Sequence, residues 1–248
     1  MKLLLDIGNT AIKIMSLDKD ELRPVSRFYV SDFSFDLLDE KLVSLDFDTV
    51  VVSSVSPKLS MSINEYFVTK YNIIPKFIKI GDYPELKLQL DNPDELGIDL
   101  YCDLIAALDY VKEKKQPVLV IDLGTATKIL LIDKDEVFSS CAIVPGITIS
   151  KRLLSSSTAL LPEVDNLEIK KITECRNTVD VINSSVYFAH IEMINGLINR
   201  FEKEIGKSCF YVITGGNAKA VIKDIKEPHI LDEYLCFKGM KILLQQRG

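Results

Sequence analysis

The sequence predicts an α/β chain made of two similar halves, and three observations carry that expectation. The first is an internal repeat. Leu3 to Asp20 and Val118 to Asp135 each run as an apolar strand, Asp-x-Gly, a Thr-containing turn, a second apolar strand and a closing Asp-Lys-Asp. Asp6 matches Asp122 and Gly8 matches Gly124, while the closing turns are out of step by one residue. A period close to half the chain means two copies of one supersecondary unit, not one continuous sheet. The second observation is that apolar runs too short for helices alternate with segments of helical spacing. The third is bulk: 248 residues, 47% hydrophobic and 27% charged, suit one large or two medium globular domains.

Taken in order, Leu3–Leu5 reads as a buried strand, Asp6 to Thr10 as a tight polar turn, and Ala11, Ile12 and Ile14 as the returning strand. Arg27 to Val30 is a further strand, and Asp36 to Ser44 has helical spacing at Leu37, Leu38 and Leu42. Thr49 to Val52 is β-branched and runs into Ser53-Ser54; Pro57 then opens a helix through Lys70, and Phe77 to Ile80 is a short strand. Pro84 to Pro93 is loop-like. A helix from about Leu100 to Lys114 carries Leu104, Ala107, Leu108 and Val111 on one face. The charged stretch Lys112 to Pro117 is the expected boundary, giving halves 1–115 and 116–248.

In the second half, Ser139 to Val144 is a strand entering Pro145-Gly146, followed by a Ser/Thr-rich segment from Thr148 to Thr158. Thr178 opens a long helix to about Ile205, and Gly206 stops it. Phe210 to Thr214 is a strand leading into Gly215-Gly216-Asn217, and Phe237 to Gln246 is a terminal helix.

Composition narrows the function classes. A net charge of -6 argues against nucleic-acid or anionic-membrane partners. No apolar run approaches the roughly 18 residues of a membrane span, and the first residues lack the basic-then-apolar pattern of a cleavable signal. Cys102, Cys141, Cys175, Cys209 and Cys236 are scattered, which suits a reducing cytosol better than a disulfide framework or a zinc site. With His190 and His229 the only histidines, a His-based triad or metal site is not expected.

The chemistry lies in the turns. An Asp-x-Gly turn after a strand offers backbone N–H groups to a phosphate, and the glycine lets it approach. One such turn is equally a polar hairpin with no ligand. Two matching turns, with Asp6 and Asp122 toward cations on a phosphate chain, point to a polyphosphate. A third turn, Thr214-Gly215-Gly216-Asn217, would admit adenine or ribose close to the backbone. The Gly-x-x-x-x-Gly-Lys-Ser/Thr and Gly-x-Gly-x-x-Gly nucleotide motifs are absent.

Asp6-Ile-Gly-Asn-Thr10, Asp122-Leu-Gly-Thr-Ala126 and Thr214-Gly-Gly216 resemble the phosphate-1, phosphate-2 and adenosine motifs of the actin, hexokinase and acetate-kinase superfamily. Within it the chain resembles the type III pantothenate kinases. Asn92-Pro93-x-x-Leu96-Gly97-x-Asp99, Ile143-x-Pro145-Gly146, Leu161-Pro162-x-Val164, Asn177-Thr178 and Leu235-x-x-x-Gly239 carry that narrower match.

The resemblance implies two ribonuclease-H-like (actin-like ATPase) domains, each a mixed, five-stranded type of sheet with helices, with ATP in the cleft between them. It implies phosphorylation of the primary hydroxyl of pantothenate, the first step toward coenzyme A. Carried over residue by residue, Asp6, Ile7, Gly8, Asn9, Thr10, Ala11, Ile12, Lys13, Thr125, Gly215 and Gly216 bind ATP. Gly97, Ile98, Asp99, Leu100 and Thr178 line the pantothenate site, Thr178 from a second subunit of a homodimer. Asp99 accepts the proton, Asp122 ligands a monovalent cation (potassium or ammonium), and Asp6 neighbours the magnesium that accompanies ATP.

Each role has a plainer counterpart. Phosphoryl transfer needs an in-line hydroxyl, charge neutralisation and a late proton acceptor, and a helix N-terminus favours a carboxylate there. Asp99 also fits as a mere N-cap of its helix, as does Thr178 of its own. Asp122 fits as an organiser of its turn. The substrate side departs from the family pattern. Leu100 stands where an arginine is usual and Leu90 where many members have tyrosine; Ser140-Cys141 replaces Gly-Gly, and Lys128 replaces a threonine just after the second phosphate motif. A pantothenate kinase leads, followed by a kinase for another hydroxylated metabolite and by a nucleotide-binding regulatory protein without catalysis.

Overall fold

A computed structural model describes residues 1–113, 115–227 and 229–246. The chain forms two compact units, residues 1–110 with 234–246, and Val111–Glu233.

The first unit contains β1 (Lys2–Ile7), β2 (Ala11–Asp18), β3 (Glu21–Tyr29), α1 (Phe35–Leu42), β4 (Thr49–Ser54), α2 (Pro57–Tyr71), β5 (Lys76–Phe77), β6 (Lys87–Leu88) and α3 (Ile98–Val111). Its sheet runs β3-β2-β1-β4-β5, with β1, β2 and β3 antiparallel and β4 and β5 parallel to β1. The central strand obeys the two-residue period of a strand. Leu3, Leu5 and Ile7 pack with Leu38 and Leu42 of α1 and Ile63 and Phe67 of α2. Leu4 and Asp6 therefore face the other side of the sheet.

The second unit contains β7 (Val118–Leu123), β8 (Ala126–Ile132), β9 (Val137–Pro145), α4 (Ile147–Ser156), α5 (Thr178–Ile205), β10 (Phe210–Thr214), α6 (Ala218–Val221) and β11 (His229–Leu231). Its strands take the order β9-β8-β7-β10-β11, with β7 to β9 antiparallel and β10 and β11 parallel to β7. The repeat seen in the sequence is thus a repeat of topology, and the two expected ribonuclease-H-like sheets are both present. Leu119, Ile121 and Leu123 of β7 pack on Tyr187, Ile191, Ile194 and Ile198 of α5.

The last element, α7 (Leu235–Gln246), returns to the first unit and packs on β1. The division therefore differs from the expected 1–115 and 116–248. Its cause is close packing: a Cβ on Gly239 would come within 1.9 Å of the Cys102 carbonyl oxygen on α3, a separation only glycine permits. Other expectations shift at their edges. The α3 helix begins at Ile98, and the expected end at Lys114 lies outside the described residues. The strand expected at Arg27 begins at Glu21, because β3 is an edge strand and so tolerates Pro24. The Ser/Thr-rich segment after Gly146 is the helix α4. Ile147 and Lys151, one turn apart, are both buried, and Lys151 Nζ donates to the carbonyl of Asn166 (2.5 Å) and to Asn183 Oδ1 (3.3 Å).

Candidate active site

In the first unit, the polar turn falls at the carboxyl end of β1. Ile7 pairs with Ile12, so residues 8–11 make the connection, closed by Gly8 N–H donating to the Ala11 carbonyl at 3.0 Å. Asn9 and Thr10 are exposed at its tip, while Ile7, Ala11 and Ile12 are buried below it. Asp6 and Lys13 face each other across the ladder, and Lys13 Nζ lies 3.2 Å from Asp6 Oδ2. Asp6 is buried, and Cys236 and Asp103 lie on the same side of the sheet. Burial acts to lower the Lys13 pKa, but the Asp6 carboxylate, with help from Cys236 and Asp103, leaves it above its ordinary value. The Cys236 thiol, hydrogen-bonded to Cys102 and buried near Asp6, is held well above the usual thiol range.

The exit of β4 ties this turn to the start of α3. Val55 N–H donates to the Ile7 carbonyl (3.0 Å), and Val55 Cγ1 lies 3.6 Å from the point a Gly97 Cβ would occupy. Asp99 Oδ1 is 2.5 Å from that same point, so its carboxylate folds back over Gly97. Tyr101 N–H donates to the Gly97 carbonyl at 2.9 Å. Helical bonding thus starts at Gly97, and Asp99 is inside the first turn. The N-cap account of Asp99 is overturned. Gly97, Ile98 and Asp99 are half-buried; Leu100, at the position of the family's arginine, is buried. The fully buried Tyr101 accepts from Gly81 N–H (3.2 Å) and Tyr83 N–H (2.9 Å), which fixes the preceding loop against α3.

In the second unit, Leu123 pairs with Thr127, so only residues 124–126 connect β7 to β8. Turn one is a residue longer, which accounts for the slip between the closing Asp-Lys-Asp runs. Thr125 is exposed at the tip. Two further turns converge on it. Gly146 N–H donates to the Thr125 carbonyl (3.1 Å), Asn217 N–H to the Leu123 carbonyl (2.9 Å), and Asn217 Nδ2 to the Gly124 carbonyl (3.2 Å). Gly215 has φ +99, and a Cβ there would meet Leu123 N at 2.5 Å and Asp122 Oδ1 at 2.6 Å. Gly216 is the exposed next residue of that turn. The second phosphate motif and the adenosine motif are therefore one hydrogen-bonded cluster. Gly146 and Asn217 stood in the expected Pro-Gly and Gly-Gly-Asn turns, but no individual role was expected of either.

Thr178 is exposed as the first residue of α5. The cap belongs to Asn177, whose Oδ1 accepts from Asp180 N–H at 2.9 Å while its Nδ2 donates to Asp180 Oδ2 at 2.9 Å. The capping account of Thr178 is thereby removed.

Asp122, half-buried at the end of β7, does not present an open carboxylate to a separate monovalent cation. Lys128 faces it across the ladder with Nζ 2.9 Å from Oδ2. A second unit charge about 4 Å from that ammonium would be repelled by about 4 kcal/mol at an effective dielectric near 20. Asp6 is likewise paired, with Lys13 Nζ 3.2 Å from its Oδ2, so at both turns a lysine already sits on the acid expected beside a cation. Among the described residues no cluster of three or more His, Cys, Asp or Glu could hold a metal by itself. No helix among them is long and apolar enough to cross a membrane.

Comparison with known proteins agrees with this geometry. A family model described as type III pantothenate kinase matches residues 2–200. The type III pantothenate kinase of Listeria monocytogenes serovar 1/2a is 30% identical, over 99% of this chain and 97% of that protein. That of Persephonella marina is 31% identical over 100% of both. Among solved structures, a conserved putative Baf family transcriptional activator from Campylobacter jejuni aligns with TM-score 0.58 and 21% identity, covering 99% of this chain and 98% of that one. A putative 2-dehydro-3-deoxygalactonokinase from Sinorhizobium meliloti aligns with TM-score 0.59 and 9% identity, over 99% and 96%. At such identities these two attest the fold alone.

Proposed function

The chain belongs to the type III pantothenate kinase family, and on that premise we propose that it transfers the γ-phosphoryl group of ATP to the primary hydroxyl of pantothenate. The product is 4′-phosphopantothenate, the first intermediate toward coenzyme A. The observation that carries this reading is the family match over residues 2–200, which spans both Asp-x-Gly turns and the Asp99 helix start.

Residue roles follow from chemistry. Phosphoryl transfer asks the protein mainly to position two oxygens in line and to neutralise charge. Backbone N–H groups of the 8–11 and 124–126 turns, with the Thr10 and Thr125 hydroxyls, bind phosphate oxygens, and Gly215 and Gly216 border the nucleoside. Lys13 adds a positive charge; the Asp6 carboxylate beside it, with Asp103 near, keeps it protonated. Asp6 is the carboxylate nearest the magnesium that ATP carries, an ion that supplies charge neutralisation on the phosphates. Gly97, Ile98 and Leu100 border pantothenate, and Asp99 takes the hydroxyl proton as the oxygen attacks. Leu100, being buried, gives the substrate no charged donor, so recognition of the pantothenate carboxylate falls to other groups.

The working form is a homodimer in the cytosol. Val179 and Val181 beside Thr178 and Leu153 and Leu154 of α4 are exposed apolar side chains that a second copy would cover. A monomeric yet fully active protein in sedimentation would refute the shared site. The reaction itself is tested by coupled ADP release with ATP, Mg²⁺ and pantothenate. Pantothenate-dependent release is expected, and none under any salt condition would sink the proposal.

A further inference from the structure

We propose that the Lys128 ammonium is this chain's built-in monovalent cation, so that nucleotide binding and phosphoryl transfer proceed without added potassium or ammonium. The inference rests on the kinase reading above. Its starting point is the disagreement at Asp122, where the expected ion and an observed side chain claim the same carboxylate.

Three features support it. Asp122 and Lys128 are direct partners on neighbouring antiparallel strands, so the contact is set by sheet register and not by a wandering side chain. Nζ lies 2.9 Å from Oδ2, and the side chains are only 13% and 22% exposed, unlike a solvated surface pair. The other oxygen, Oδ1, lies against the glycine turns, 2.6 Å from where a Gly215 Cβ would sit and 3.5 Å from the Gly124 equivalent. The pair is thus at the base of the second phosphate turn.

The chemistry is equivalent. An alkylammonium carries the unit charge of potassium and has the N–H donors of the ammonium ion. Tethering it to β8 gives it a permanently high local concentration. A threonine at 128, the family's usual residue, has a hydroxyl and no charge, and leaves Asp122 to recruit an ion from solution. Lysine makes that recruitment unnecessary and, by charge repulsion, unfavourable.

The test uses the full chain in tetramethylammonium buffer at constant ionic strength, with KCl or NH₄Cl replacing part of the salt. Wild-type turnover of pantothenate should change by less than about twofold on adding either ion, and so should MgATP affinity measured by calorimetry. Lys128→Thr should lose about tenfold or more in both measurements without potassium and regain most of it with potassium or ammonium. That regain is what a merely structural ion pair would not give. A wild-type rate or affinity that rises about tenfold with potassium overturns the proposal and needs no variant; so does a loss in Lys128→Thr that no cation restores. If pantothenate is not turned over in any salt, the kinase reading fails, while the calorimetric arm still decides the role of Lys128. Absence of ATP binding in every salt overturns both.

Discussion

The turn between β1 and β2 and the turn between β7 and β8 share a frame: central strand, Asp-x-Gly, return strand, and a lysine opposite the aspartate. Their surroundings differ. Turn one lies beside the exit of β4 and the start of α3, where Asp99 folds over Gly97. Turn two is hydrogen-bonded to the Gly146 and Gly215–Asn217 turns, and the helices that follow them, α4 and α6, carry no acid in their first turns. If the proposed roles hold, one duplicated scaffold binds phosphate at both turns and has the acceptor chemistry beside turn one alone. The lysines divide too. Both pair with the aspartate opposite, but Lys13 is 39% exposed and also has Asp103 near it, whereas Lys128 is 22% exposed.

The largest test of this division is Asp99→Asn. If acceptor chemistry belongs to turn one's neighbourhood, kcat should fall by about 10³-fold, within the range of general-base contributions, while MgATP affinity stays within about twofold. Turnover measured beside calorimetric ATP binding decides it. An active variant would reduce Asp99 to a helix-start residue and dissolve the contrast. The conservative change keeps the side-chain shape over Gly97, so a lost fold is not the expected cause of a lost rate.

A smaller effect separates the turns by their backbones. Gly215 has φ +99, and its absent Cβ would press on backbone atoms of Leu123, so Gly215→Ala should destabilise the chain by about 3 kcal/mol. Gly8 meets only the Ala11 carbonyl, at 3.2 Å, without a positive φ, so Gly8→Ala should cost under about 1 kcal/mol. Denaturation midpoints of the two variants measure the difference. Equal losses would mean that turn two is no more tightly built than turn one.

The sequence displayed the repeat because strands announce themselves in apolar runs and turns in Asp-x-Gly. It did not display where those runs pair. The same Asp-Lys-Asp letters close a two-residue loop at Lys19-Asp20, both with positive φ, and a longer one at 134–136 with only Glu136 left-handed. The α4 helix was hidden by its Ser and Thr content, since packing of Ile147 and Lys151 outweighs local propensity. Return of α7 to β1 is a long-range contact, visible in sequence only as Gly239. Lys128 was visible as a departure from the family's threonine. That it reaches Asp122 required the β7–β8 register.

The smallest effect concerns the position just after each turn. Ile12 and Thr127 are equivalent partners of Ile7 and Leu123, and both are buried, but Thr127 Oγ1 lies 2.9 Å from His190 Nε2 on α5. Burial lowers the His190 pKa, which keeps the ring neutral beneath turn two. Its folded pKa is therefore below its unfolded value of about 6.5, and protonation favours the unfolded chain. This contribution to stability is fully present above about pH 6.5 and is lost as pH falls through the window down to the depressed folded value. Turn one, with Ile12 in the same place, has no such group. Thermal melts should show His190→Gln losing less stability than wild type between neutral pH and about pH 5. Parallel curves would mean that the Thr127–His190 contact carries no pH dependence, and that the two turns do not differ in this respect.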